Sequence, residues 1–349
     1  MGANTISVPA LVRLKPGALD RLGLYLARAR HLRVAIMHSS GLKPELLTRA
    51  LDSLAAEGVS VDLQSDVSDA SFEQAARHLA QLSCETQAIV GLGGGKALDT
   101  AKYVAFLAKL AYYAVPTSLS NDGFCSPQSS LTLAGKRRSL AACLPAGVVV
   151  DTDVCLHAPL PLWWSGVGDL VSKITAIHDW KLAFHTQGEP VNDLAALLSD
   201  ATVRQFLARP QRDLDGIRLL GTSLLLNGIA MEISGSSRPA SGSEHLISHA
   251  LDRRSQRPRL HGLQVGTATY LVANLQGQRA DEVGRVLDQT GFWDGIRSDP
   301  FSRAEWLDAV QAAPSIKPNF YTVLSERNCL PEMERLIDAD VLLEGCFST

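Results

Sequence analysis

The sequence predicts a two-part α/β protein: a doubly wound parallel sheet with covered faces in the first half, and an all-helical second half. Short apolar runs alternate with amphipathic stretches through the first 160 or so residues, which is the rhythm of strand–helix–strand units. A run of three glycines sits between one of those strands and the helix after it. Beyond it, strand-like runs give way to long helical patterns. A length of 349 residues suits two domains, placed here at 1–160 and 161–349. The proline-punctuated segment from His157 to Leu162 is the expected joint.

In order, Leu32–Met37 is an apolar run that reads as the first strand, and Pro44–Glu57 a helix with Leu46, Leu47, Leu51 and Leu54 on one side. Val59–Leu63 is a second strand and Ser71–Leu82 a second helix. Ala88–Leu92 is a third strand, running into Gly93, Gly94 and Gly95. Ala97–Leu110 is helical, Tyr112–Val115 is a strand ending at Pro116, and Gly147–Asp151 is another strand. The second half reads as helices over Gly168–Phe184, Asn192–Phe206, Asp213–Ser234, Ser243–Asp252, Gly262–Leu275 and Ala280–Leu287, with further helical packing after Leu287.

Charge is balanced, 33 basic against 36 acidic residues, so there is no electrostatic footprint for nucleic acid. The clusters Lys136-Arg137-Arg138 and Arg253-Arg254 are short, and read as solvated faces or anchors for one small anion. No uninterrupted apolar run of ~18 residues is present, so no membrane span is expected. The opening MGANTISVPALVRL has no charged segment followed by an apolar run, so no signal peptide is expected. Six scattered cysteines without C-x-x-C pairs fit reduced thiols in a cytoplasmic protein.

Gly93, Gly94 and Gly95 open a helix, where bare backbone lets phosphate oxygens approach the helical N–H groups. The spacing fits neither the usual dinucleotide fingerprint nor a Walker loop, and a simple tight turn is the bland alternative. Asp99, one turn on, fits a role in orienting the loop. A second loop, VPTSLSNDGFCSPQSS, follows the next strand at the same sheet edge, where ligands of such folds gather. Thr117, Ser118, Ser120, Asn121 and Ser126 supply small hydrogen-bonding groups there, although a Ser/Asn/Gly turn has the same composition.

His245 and His249 are four residues apart, on one face of a helix. Ser241 and Glu244 have the spacing of a capping box that would start that helix. His261 follows beside Gly262. Three of the nine histidines thus fall within 17 residues. A lone helical histidine is usually a satisfied polar residue, but this grouping points to a divalent metal such as zinc, completed by a carboxylate from elsewhere.

GGGKALDTAK, PTSLSNDGFCSP, GVGDLVSKITAIHDW, SGSEHLISHALD and LHGLQVGTAT together resemble the sn-glycerol-1-phosphate dehydrogenase family, within the wider group of dehydroquinate synthases and iron-containing or glycerol dehydrogenases. The resemblance runs from about Arg33 to Leu275. It implies a Rossmann-like domain that binds NAD or NADP, a helical domain that holds zinc, and a substrate cleft. Carried onto matching positions, it makes Gly95, Lys96, Ala97, Leu98 and Asp99, with Thr117, Ser118, Leu119, Ser120 and Ser126, dinucleotide contacts. Asp122 would contact substrate. Asp169, His245 and His261 would bind the metal, with Asp169 and His249 also touching substrate.

On residues alone Asp169 is equally a helix-start acid or a partner for Lys173; beside the histidine cluster it becomes the natural third ligand. Lys173, Arg238 and Arg253 are candidates to steady a substrate phosphate, and Asp179 reads as a supporting or packing residue. The implied reaction is reversible reduction of dihydroxyacetone phosphate to sn-glycerol 1-phosphate. Rival readings are a dehydroquinate synthase-like lyase, a dehydrogenase of unphosphorylated polyols, and a non-catalytic nucleotide-binding protein. His38-Ser39-Ser40-Gly41, with no carboxylate after the first strand, leaves NADP admissible beside NAD. Two histidines and a carboxylate admit nickel or iron as well as zinc. A homo-oligomer is expected on general grounds.

Overall fold

A computed structural model describes residues 6–348. In the first half the strands are β1 (Leu11–Lys15), β2 (Arg33–Ser39), β3 (Ser60–Val67), β4 (Ala88–Gly93), β5 (Ala111–Pro116), β6 (Gln128–Leu133), β7 (Lys136–Ala141) and β8 (Gly147–Asp151). Six of them form one sheet in the order β1-β8-β5-β4-β2-β3, and every pairing in it is parallel. β4 and β8 are buried along their whole length, as a parallel sheet covered on both faces requires. Helices α1 (Leu22–Arg28), α2 (Pro44–Ala56), α3 (Phe72–Ala80) and α4 (Gly95–Ala108) connect successive strands from β1 to β5, and α5 (Thr152–Leu156) follows β8.

The predicted strands are all present, with ends shifted by a few residues. Five strands are additional, two of them, β9 (Phe301–Ser302) and β10 (Phe347–Ser348), forming a short parallel pair within the second half that was expected to be all-helical. β1 reads LVRLK and lies at the sheet edge, pairing only with β8. β6 and β7 form a separate antiparallel hairpin around Ala134 and Gly135, both at positive φ, a turn that matches the twist of the flanking strands. Lys136, Arg137 and Arg138 lie on its exposed strand β7.

The remaining helices are α6 (Leu160–Val171), α7 (Lys173–Gln187), α8 (Asp193–Leu207), α9 (Leu214–Ser234), α10 (Ser243–Arg254), α11 (His261–Gln276), α12 (Ala280–Gln289), α13 (Phe292–Arg297), α14 (Arg303–Ile316), α15 (Val323–Glu326) and α16 (Leu330–Ala339). The predicted helix over 168–184 is in fact the end of α6 and most of α7, with Ser172 between them. Its apolar pattern runs through the break, so periodicity alone showed no boundary.

Chain contacts divide the protein into two compact units, but not at a single cut near 160. The first comprises the described residues up to Ala158 together with Asp213–Glu232; the second comprises Pro159–Arg212 and the described residues from Ile233 onward. Helix α9 therefore belongs mainly with the sheet, not with the helices on either side of it in sequence. Its Gly221 lies against Leu14 and Leu119, and its Gly228 against the backbone of Cys125. By length and apolar composition α9 is also the one helix among the described residues that could cross a membrane, but most of it is buried inside the protein. A largely apolar helix suits a mostly buried position, and the charged Asp215 and Arg218 near its start are exposed.

Candidate metal centre and nucleotide loops

The sheet places the two predicted loops side by side. Chain direction across it reverses between β2 and β4, the topological switch at which such folds bind ligands beyond the strand C-termini. Gly93 ends β4 opposite Pro116 of β5, and the Thr117 amide donates to the Gly93 carbonyl at 3.1 Å. Ser39 at the end of β2 accepts the Gly94 amide on Oγ at 2.9 Å. That contact leaves no room for a side chain at Gly93, whose φ is +131° and whose Cβ would lie 2.3 Å from Ser39 Oγ.

Gly94 is the N-cap of α4 and has no capping side chain, so the first-turn amides of Gly95, Lys96 and Ala97 have no intrahelical acceptor. Gly95 and Lys96 are exposed. Leu98 differs: its side chain is in the core and its amide donates to the Gly94 carbonyl. Ser118, Leu119 and Ser126 are buried, while Thr117, Ser120 and Asp122 are half-buried. Ser126 turns its hydroxyl onto its own loop, donating to the Gln128 carbonyl at 2.9 Å. Asn121 caps the short 3₁₀ turn Asp122–Cys125 by accepting the Gly123 amide.

Sequence reasoning passed over Lys102. Its ammonium group is fully buried and donates to the carbonyls of Gly123 at 2.5 Å and Gln128 at 2.7 Å. Asp99 Oδ1 lies 3.5 Å from the same nitrogen. Burial pushes the Asp99 carboxyl up and Lys102 pulls it back. One cation thus ties helix α4 to both ends of the segment that carries Asp122 and Ser126. The detectable signal was Asp99 three residues before a lysine on an otherwise apolar helix.

In the helical unit, Asp169, His245 and His261 converge. Asp169 Oδ1 lies 3.6 Å from His245 Nε2 and 3.7 Å from His261 Nε2, and the three donor atoms all fall within 4.8 Å of one another. Bonds of about 2.0–2.2 Å in a tetrahedral arrangement separate donors by roughly 3.3–3.6 Å. The two carboxylate–imidazole edges therefore fit one divalent ion, and one oxygen with two nitrogens is a donor set such ions accept.

Asp169 is not at a helix start, as its glycine neighbours suggested; it lies two residues from the end of α6, where the helix dipole opposes a negative charge. What keeps it ionised is its company. Burial works against the charge, but Lys173, the His245 hydrogen bond and His261 outweigh it and hold the carboxyl well below the usual carboxylate range. Its proximity to His261 follows from a close crossing of α6 and α11. A Cβ on Gly262 would lie 1.7 Å from the Ser165 carbonyl oxygen, so the two backbones touch where only glycine fits. Ser165 Oγ also accepts the Gly262 amide at 3.1 Å.

The start of α10 also departs from the expected capping box. The N-cap is Gly242, one residue after Ser241. Glu244 Oε1 accepts the Gly242 amide at 2.6 Å, while Asp179 Oδ2, from α7, accepts the Ser243 amide at 2.7 Å. Asp179 Oδ1 further accepts from the Val323 amide and from Gln276, so this carboxylate joins α7, α10, α11 and α15.

His249 is half-buried and its ring stacks near that of His261, with centroids 5.9 Å apart, but it is outside the converging donor set. Two of the three suggested phosphate anchors are committed elsewhere. Lys173 is fully buried, 3.4 Å from both Asp169 Oδ2 and Ser172 Oγ. Arg238 is buried between the Glu189 carboxylate, the Tyr321 carbonyl and the Phe320 ring. Arg253 is exposed. All six cysteines are free thiols.

Known proteins agree with this architecture. Residues 13–159 match the family described as iron-containing alcohol dehydrogenase. The solved structure of glycerol dehydrogenase from Schizosaccharomyces pombe superposes with a TM-score of 0.76 over 98% of this chain and 91% of that one; at 17% identity, that likeness is one of fold. The chain is 34% identical over 355 residues to a protein of Methanothermobacter thermautotrophicus named glycerol-1-phosphate dehydrogenase, NAD(P)+, covering 96% of this chain and 98% of the relative. A protein of the same name from Aeropyrum pernix is 34% identical over 339 residues, covering 94% and 95%. On this identity over nearly the whole of both chains, the protein belongs to the glycerol-1-phosphate dehydrogenase family.

Proposed function

We propose that the protein catalyses the reversible NAD(P)H-dependent reduction of dihydroxyacetone phosphate to sn-glycerol 1-phosphate. The observation that carries this reading is the convergence of Asp169, His245 and His261, in a chain of this family, with His249 beside them but outside the donor set. Asp169, His245 and His261 would hold one divalent ion, by our reading zinc, with nickel and iron the alternatives. Such an ion supplies Lewis acidity toward the substrate oxygens. NADH or NADPH supplies the hydride.

The residues do the rest. Asp169 brings a negative charge to the centre that Lys173 keeps ionised. His249, with an imidazole of the type that exchanges protons near neutrality, moves a proton to or from the substrate oxygen. Gly93, Gly94 and Gly95 leave the first-turn amides of α4 open to a dinucleotide phosphate. Thr117, Ser118, Leu119, Ser120 and Ser126 line the adjoining loop as further dinucleotide contacts, and Asp122 orients a substrate hydroxyl. We also place the protein in the cytoplasm and expect a homo-oligomer.

The test is oxidation of NADH and NADPH with dihydroxyacetone phosphate against unphosphorylated dihydroxyacetone, before and after chelation. Turnover should require the phosphorylated ketone, vanish on chelation and return with zinc. Equal or better turnover of the unphosphorylated ketone would assign a polyol dehydrogenase instead, and turnover indifferent to chelation would remove the metal from the mechanism.

A further inference from the structure

We propose that Glu244 is a positioning residue of the metal centre: it keeps the His245 ring proton on Nδ1 and thereby turns the Nε2 lone pair toward Asp169 and His261. The inference rests on the metal reading above. Glu244 is fully buried. Its Oε1 takes the Gly242 amide at 2.6 Å and lies 2.9 Å from His245 Nδ1. An oxygen already accepting one N–H acts as an acceptor toward the ring as well, so the proton between them belongs to Nδ1. The opposite nitrogen is the one that faces Asp169 Oδ1.

The other carboxylate oxygen is also engaged. Thr175 Oγ1 lies 2.8 Å from Oε2 and shares its proton with the Ser172 carbonyl at 3.0 Å. Glu244 is thus fixed from α7 and from its own helix start, and has little freedom to swing away from the imidazole. A metal-binding histidine whose second nitrogen donates to a carboxylate is a better donor and holds one orientation. The second histidine differs. His261 Nδ1 lies 3.2 Å from the Ser248 hydroxyl, which also receives the Gln264 amide at 3.0 Å. A neutral hydroxyl orients its imidazole without the charge. The centre is therefore asymmetric, and His245 is the ligand whose basicity the protein reinforces.

A helix-capping role alone does not account for this geometry. The first-turn amide of Ser243 is already satisfied by Asp179, and a cap needs no contact with a ring nitrogen.

The experiment compares zinc affinity, by competition with a chromophoric chelator, in full-length wild type, Glu244→Gln, Glu244→Ala and Thr175→Val. Nitrogen-15 spectra of the imidazoles in zinc-free protein accompany it. Loss of the carboxylate should weaken zinc about 10–100-fold, with the milder change in Glu244→Gln, which also serves should the alanine variant not fold. The His245 signals should shift away from the Nδ1–H form in both. Thr175→Val removes one of the two bonds that fix Glu244 but leaves the carboxylate beside His245, and should weaken zinc less than either Glu244 variant. Folded Glu244 variants with wild-type affinity and unchanged His245 signals would overturn the inference, as would a loss in Thr175→Val equal to that in Glu244→Gln. Wild-type protein that binds no divalent metal would instead overturn the metal reading beneath it.

Discussion

His245 and His249 leave the same face of α10 one turn apart, yet only His245 joins Asp169 and His261. That division predicts different losses. His245→Ala and His261→Ala each remove a donor from a three-donor site and should lose bound metal on dialysis, with activity following it. His249→Ala should keep stoichiometric metal by elemental analysis while turnover falls about 10²–10⁴-fold, the range for a lost acid–base group. Equal metal loss in all three variants would contradict these roles. Much of this was legible in the sequence, because i,i+4 spacing on a helix is a geometric statement in itself. The carboxylate was less so: Asp169 is 76 residues from His245, and it took the histidine cluster together with the family resemblance to single it out. Glu244 shows the limit of local rules most clearly. Its spacing from Ser241 reads as a capping box, but the tertiary fold supplies Asp179 as the acceptor for Ser243, and Glu244 serves Gly242 and His245 instead. Lys102 was missed for the same reason, since its two carbonyl acceptors lie 21 and 26 residues away.

At the scale of elements, the centre exists because α6 and α11 cross at backbone contact. Gly168 would place a Cβ 2.0 Å from the Gly262 carbonyl oxygen, and Gly262 one 1.7 Å from the Ser165 carbonyl oxygen. Both obstacles are main chain and cannot rotate aside. Gly262→Ala should therefore move the helices apart at the point where one carries Asp169 and the other begins with His261. Overpacking of this kind costs typically about 1–3 kcal/mol, so the protein should still fold with a lowered melting temperature. Its zinc affinity should fall much further than that of a variant equally destabilised in the other unit, such as Leu54→Val in the core beneath α2. Matching zinc affinity in the two variants would show that the crossing does not set the donor spacing. The sequence displayed these glycines but not their purpose. The apolar pattern over 168–184 runs across the Ser172 break, so Asp169 was read at a helix start when it lies at a helix end.

For the whole molecule, texture and membership proved to be different properties. A change from strand-like to helical sequence near residue 160 suggests one cut, yet the units trade chain again at Asp213 and after Glu232. Helix α9 reads as one more helix among helices; only its largely apolar length indicates that most of it must be covered, and sequence does not say by what. The sheet unit does so, through Leu14, Leu119 and Cys125. A chain ending at residue 160 should consequently expose the surface that α9 covers. We predict that residues 1–160 alone aggregate or melt without a cooperative transition. The same residues joined to 213–234 through a flexible Gly/Ser linker of about 20 residues, long enough to leave the helix free to find its place, should unfold cooperatively. The joined form should also bind NADH or NADPH measurably by calorimetry, because the glycine loop and the Thr117–Ser126 loop both lie in this unit. If residues 1–160 alone melt at the same temperature and bind nucleotide as tightly as the joined form, α9 is an accessory to the sheet unit and the division at 160 stands.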